Sequence, residues 1–286
     1  MPLKSIVLTF QSGQRIAWGL RSTVIATCLA ITCFCMEGKG QEITPDTSQA
    51  QLPGLSLGAH QAPNTAKRIP ELHVNSWRGN RVVKLWRGDP NGKEIALTFD
   101  DGPHPAYTLR LLDLLHELNV KATFFVVGKK VDEAPWLLPR MLADGHEIGN
   151  HTYHHLNLDG ADESLIISEI RLGQDAIRRA CGIKTFSFRP PGGHHNPNVL
   201  ACAEKLKCRT YLWTDDPADF ANPGTNVLEQ RLIGKVSGGA IVLLHDGIEQ
   251  TMEILPELIA RLKSDGYRFV TATELAEHLE ATGIGR

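Results

Sequence analysis

Five short polar stretches carry residue types that could do chemistry together. "LTFDDGPH" (97–104) sets Asp100 beside Asp101, and two adjacent carboxylates repel unless a proton or a cation lies between them. "HTYHH" places His151 and His155 four residues apart, a spacing that can turn two imidazoles toward one ion. Two histidines and one aspartate, with positions left open, suit a catalytic zinc or a related divalent ion such as cobalt. Asp101 is the natural third ligand, which leaves Asp100 to take a proton from water. "FRPPGG" (188–193) offers Arg189, followed by two prolines that fix the path and two glycines that let backbone N–H groups come close to a substrate oxyanion. "WTDDPADF" (213–220) supplies Asp215, Asp216 and Asp219, at least one of which is expected to neutralise Arg189. "IVLLHDG" (241–247) ends on His245, placed to act as a general acid for a leaving amine. His154, His194 and His195 are read as bystanders.

The elements that must position these groups follow from the spacing of apolar residues. Short apolar runs occur at 95–99, 122–127, 147–152, 185–189, 209–214, 240–245 and 267–271, with helical periodicity between them. Leu111, Leu112, Leu115 and Leu118 share one helical face, as do Met252, Leu255, Leu258, Ile259 and Leu262. Alternating strands and helices predict a parallel α/β architecture, here a distorted (β/α) barrel of about seven parallel strands. In "RVVKLWRGDPNGKEIALTF" a strand, a turn at Asp89–Gly92 and a second strand are expected. Each polar cluster falls at or just after the end of a strand run. In a parallel barrel those ends share one rim, so the clusters converge on a single site.

The remaining sequence sets the context. A net charge of −2 gives no basic surface for nucleic acid or an anionic membrane. Lys4, Arg15 and Arg21 are the only charges before Glu37, and an apolar run from Ser22 to Met36 follows them. This pattern predicts a signal peptide or an amino-terminal anchor over 1–40, hence a secreted, periplasmic or envelope-associated protein. Residues 41–80, rich in Pro, Gly, Ser, Thr, Gln and Asn, read as a flexible linker ahead of a domain over 81–286. Outside the leader, Cys181, Cys202 and Cys208 remain. In an exported chain they predict one disulfide and one free thiol, with Cys202–Cys208 and Cys181–Cys208 both open.

Taken in order, the stretches resemble the five motifs of the polysaccharide deacetylase family (the NodB homology domain, carbohydrate esterase family 4). They are Thr98–Pro103, His151–His155, Arg189-Pro190-Pro191, Asp216–Phe220 and Leu243–His245. The resemblance spans roughly residues 93–276. It implies a divalent-metal hydrolase, commonly using zinc, that removes N-acetyl groups from glycans with N-acetylglucosamine units. The resemblance makes Asp100 the base, Asp101, His151 and His155 the metal ligands, and His245 the acid. Arg189 would tune Asp100, with Asp219 and Asp216 holding the arginine. Leu243 would line the acetyl pocket. Gly192 stands where the family has Tyr, a position used through its backbone N–H, and Phe220 stands where it has Trp. Peptidoglycan or a chitin-like glycan is the expected substrate, and a monomer is compatible with the sequence. The alternatives are a deformylase of a lipid-linked amino sugar and a catalytically silent glycan-binding relative. A silent relative commonly lacks the base or a ligand, and none is lacking here.

Overall fold

The computed structural model describes residues 83–283. The expected leader (1–40) and linker (41–80) lie outside the described residues. Eight strands lie among the described residues: β1 (Lys84–Leu85), β2 (Glu94–Asp100), β3 (Thr123–Val126), β4 (Glu147–Asn150), β5 (Ser187–Phe188), β6 (Arg209–Tyr211), β7 (Ile241–His245) and β8 (Arg268–Phe269). Eight α-helices lie among them: α1 (Tyr107–Glu117), α2 (Gly128–Glu133), α3 (Leu137–Ala143), α4 (Glu163–Cys181), α5 (Pro197–Lys205), α6 (Thr225–Leu232), α7 (Glu249–Ser264) and α8 (Ala272–Thr282).

All strand pairs are parallel, in the order β1-β6-β5-β4-β3-β2-β7, with β8 pairing beside the start of β2. The path closes into a distorted barrel through irregular backbone. Thr214 N–H donates to Ile241 O (2.9 Å), Leu243 N–H donates to Asp215 O (2.9 Å), and Arg87 bridges Ala240. The turn at Asp89–Gly92 forms as expected, with Gly92 N–H on Asp89 O at 3.0 Å. It makes no hairpin, because β1 runs across to pair with β6.

Strand β2 shows how the layers are made. Ile95, Leu97 and Phe99 point outward into a core shared with Leu111, Leu112 and Leu115 of α1 and Leu255, Leu258 and Ile259 of α7. Successive strand residues face opposite sides, so Ala96, Thr98 and Asp100 face the barrel interior. The interior is apolar low down, where Ala96, Phe125, Tyr211 and Ile241 pack with Ala272, Leu275, Ala276 and Leu279 of α8. It turns polar toward the carboxyl-terminal rim. Helix α8 is fixed at its start by a reciprocal cap, in which Thr271 and Glu274 each accept the other's backbone N–H.

The expected disulfide is corrected: Cys181, Cys202 and Cys208 are all free thiols. Cys208 Sγ accepts from Gln174 Nε2 (3.3 Å), whereas Cys181 donates to Ile177 O (3.2 Å) on its own helix. Cys202 and Cys208 are both buried in one apolar cluster, and burial pushes the Cys208 thiol up to about 12. Among the described residues, no helix is long and apolar enough to cross a membrane.

Candidate active site and metal centre

The ladder register brings the polar stretches to one rim. Asp100 is the last residue of β2 and sits opposite His245, the last of β7. Thr98 and Leu243 form the cross-strand pair two residues earlier, so Leu243, itself buried, lies on the same face just beneath His245. On the other side of β2, Asp100 lies opposite Phe125, and β4 ends at Asn150 beside Phe188 of β5. His151 and Arg189 therefore emerge side by side.

Asp101, His151 and His155 present ligand atoms within 4.8 Å of one another, the one such group of His, Cys, Asp or Glu among the described residues. Asp101 Oδ1 is 3.0 Å from His155 Nε2 and 3.5 Å from His151 Nε2. That oxygen is buried yet accepts no well-aligned hydrogen bond. His151 is fully buried and donates Nδ1–H to Arg189 O at 2.7 Å, which fixes the tautomer and leaves the Nε2 lone pair toward Asp101. An orphaned carboxylate oxygen facing two ring nitrogens fits a divalent cation. Burial alone would raise the Asp101 carboxyl; its approach to His155 and the charges of His151, His155 and His245 outweigh this and hold it well below the usual carboxylate range. Burial keeps His151 below its usual value, in the neutral form a ligand needs.

Arg189 is fully buried and donates to Asp100 Oδ1 at 2.7 Å. Its other donors reach Thr98 Oγ1 (2.8 Å), Tyr211 O (3.2 Å) and Leu212 O (3.1 Å), and the guanidinium lies 4.2 Å from the centre of the Phe125 ring. The pairing expected between Arg189 and an aspartate of 215–219 is corrected here. Asp219 instead accepts His245 Nδ1–H at 2.6 Å and His245 N–H at 2.8 Å, as well as Thr251 Oγ1–H (2.6 Å) and Phe220 N–H (3.0 Å). Four donors saturate a carboxylate that is 0% exposed, and no capacity is left for the arginine. Asp216 is exposed and accepts from Ala218 N–H (2.7 Å), so it closes a local turn away from Arg189. Asp215 contributes its backbone to β7.

Burial pushes His245 downward, and the hydrogen bond and charge of Asp219, aided by Asp100 and Asp101, overcome it, so its pKa is raised. Phe220 is 57% exposed and meets the His245 ring edge-on, with centroids 5.4 Å apart. Gly192 holds φ 61°, and a Cβ there would come within 2.9 Å of the His194 ring. His194 itself pairs with Asp159 (2.7 Å), and His195 donates to Gly193 O (2.5 Å). His154 is no ligand, but it anchors the turn by donating its backbone N–H and Nδ1–H to buried Glu169 of α4 at 2.8 and 2.7 Å.

Sequence reasoning missed two further residues around the aspartates. Asp246 N–H donates to Asp100 O (2.9 Å), while its buried side chain accepts from Thr108 and is pushed up to about 6 by burial. Lys130 Nζ donates to Asp101 O (2.6 Å). Asp246 could have been suspected from its place beside His245, whereas Lys130 carries no local signal.

A buried Asp100–Arg189 pair, a His245 held by buried Asp219 and a cluster of three metal-binding residue types on one rim fit a hydrolase centre of the metal-assisted kind. The comparisons agree with that class. The family profile described as "Polysaccharide deacetylase" matches residues 87–211. A peptidoglycan-N-acetylglucosamine deacetylase of Bacillus cereus is 40% identical over 198 residues, covering 68% of this chain and 92% of that protein. A chitooligosaccharide deacetylase of Bradyrhizobium sp. is 37% identical over 202 residues, 65% of this chain and 92% of the relative. Among solved structures, a peptidoglycan N-acetylglucosamine deacetylase bound to 4-naphthalen-1-yl-N-oxidanyl-benzamide superposes with a TM-score of 0.65 at 31% identity, covering 68% of this chain and 92% of that one. The chain belongs to the polysaccharide deacetylase family, and it is a hydrolytic N-deacetylase like the curated relatives it matches.

Proposed function

We propose that this protein removes the N-acetyl group from N-acetylglucosamine units of peptidoglycan, with Asp100 as base and His245 as acid. The observation that carries the reading is the pair of buried counter-ions. Asp100 faces a cation, Arg189, and His245 faces an anion, Asp219, on adjacent strands at the same register. Asp101, His151 and His155 would hold a divalent ion, zinc by the chemistry of the donor set. When bound, the ion supplies Lewis acidity to the amide carbonyl and to water.

The work of the side chains follows from the geometry. Asp100 Oδ1 is tied to Arg189, and its carboxylate accepts the proton as a water oxygen bonds to the carbonyl carbon. His245 Nδ1–H is tied to Asp219, so the imidazolium gives its Nε2 proton to the nitrogen as the C–N bond breaks. Acetate and a free amine result, and the two residues exchange protons with solvent to reset. Gly192, at the position the family uses through its backbone, would offer its N–H to the developing oxyanion. Leu243 floors the site under the acetyl methyl, and Phe220 forms an apolar wall for the sugar face. Export of the chain, with 1–40 as signal or anchor and 41–80 as linker, is supported by the charge and apolar pattern of the leader and would bring the domain to the polymer.

The test is acetate release by the purified 41–286 fragment from peptidoglycan, chito-oligosaccharides and acetylxylan, with and without chelator. Chelator-sensitive acetate from peptidoglycan, restored by zinc or cobalt, is the expected result. Turnover in protein verified to be metal-free would sink the mechanism, and acetate from acetylxylan alone would sink the substrate.

A further inference from the structure

Both ligand-bearing turns keep non-glycine residues in the left-handed region: Asp101 at φ 69°, Thr152 at 64° and His155 at 59°. Such conformations persist only where the surroundings hold them. Here one stretch of four residues at the end of β3 and the start of α2 reaches both turns. Val127 N–H donates to Gly102 O (2.9 Å), Gly128 N–H to Thr152 O (2.9 Å) and Lys129 N–H to Tyr153 O (3.0 Å). Three of the four contacts are made by backbone, which any sequence could supply. The fourth is a side chain. The Lys130 ammonium donates to Asp101 O (2.6 Å) and to His104 Nε2 (3.0 Å). It thereby ties the carbonyl of the ligand aspartate to the loop that follows it.

We infer that Lys130 is a positioning residue for the cation site, holding the Asp101 backbone so that its carboxylate meets His151 and His155. This rests on the reading that these three residues bind a divalent ion. Two effects of the lysine oppose one another. Its charge repels an arriving cation, while its clamp orders a ligand. The clamp is a short charge-assisted hydrogen bond to the ligand residue itself, whereas the ammonium is only partly buried, so solvent still screens its charge. The clamp wins.

The test is Zn²⁺ and Co²⁺ affinity of the whole chain, measured by competition with a chromophoric chelator, alongside the Co²⁺ absorption spectrum and the thermal midpoint of the metal-free protein. Lys130→Met is expected to weaken binding by about 10- to 100-fold, the range for residues that orient a ligand, and to alter the Co²⁺ spectrum. Its metal-free midpoint should stay close to that of the parent, and Lys130→Arg should recover most of the affinity. Asp101→Ala separates the two ideas. If it abolishes binding while Lys130→Met binds as tightly as the parent or more so, the lysine inference is overturned and the metal site stands. If Asp101→Ala still binds fully, both fall. A large drop in metal-free stability in Lys130→Met, with no recovery of affinity in Lys130→Arg, would make the residue merely structural and also overturn the inference.

Discussion

The two sides of the rim solve the same problem with opposite charges. On the β2–β5 side a buried guanidinium, Arg189, meets Asp100 at 2.7 Å; on the β7 side a buried carboxylate, Asp219, meets His245 at 2.6 Å. Each reacting group needs a defined starting form, a base without its proton and an acid with one. A cationic partner suits the first and an anionic partner the second. The two sides also differ in wiring. Arg189 spreads its donors over three carbonyl or hydroxyl oxygens besides Asp100, while Asp219 gathers four donors onto one carboxylate. The polarity of the buried partner therefore supports the proposed roles, Asp100 as base and His245 as acid, in a way that position in the chain does not.

The comparison can be broken most severely at the base. Asp100→Asn keeps the shape but cannot accept the proton, and turnover should fall by about 10²–10⁴-fold or more with metal still bound. Near-normal rates in that variant would move the base elsewhere. Arg189→Met leaves Asp100 as an uncompensated buried charge. Chemical denaturation should report a loss of about 3–5 kcal/mol, together with a collapse in kcat. A variant as stable as the parent would mean that Asp100 finds another partner.

On the side of the proposed acid, Asp219 raises the pKa of His245, so its imidazolium persists at neutral pH and is lost as pH climbs through that raised value, which sets the alkaline limb of activity. Asp219→Asn removes the anion that favours the imidazolium. The alkaline limb of kcat/KM should shift to lower pH, with a rate loss at neutral pH on the order of tenfold or more. An unmoved limb would show that another group sets it. The smallest effect is expected at Phe220, half-exposed against the His245 edge. Phe220→Ala should raise KM by less than about tenfold and leave kcat nearly unchanged, because it removes binding common to ground and transition states.

Much of this was legible before any coordinates. Asp100, Asp101, His151, Arg189 and His245 stand at or just after the ends of apolar runs, with His155 four residues beyond His151, and a parallel sheet forces strand ends onto one rim. The structure brings all six together there. The partner of Arg189 was misread, since "WTDDPADF" shows three carboxylates without saying which way the chain turns. Left-handed residues at Ala218 and Asn222 bend this segment so that Asp219 comes under His245. A disulfide was misread as well, because three cysteines in sequence carry no information on where each sulfur points.

Alternation of apolar runs, strand-end polarity and the types of donor were decided by the sequence alone, because parallel sheets repeat a local rule and each ligand type carries its own chemistry. The pairing of each reacting group with a buried counter-ion, the clamp of Lys130 on Asp101 and the hold of Glu169 on the His154 turn were decided only by the tertiary structure. Those contacts join residues from 15 to 89 positions apart, and only packing brings such side chains within hydrogen-bonding distance.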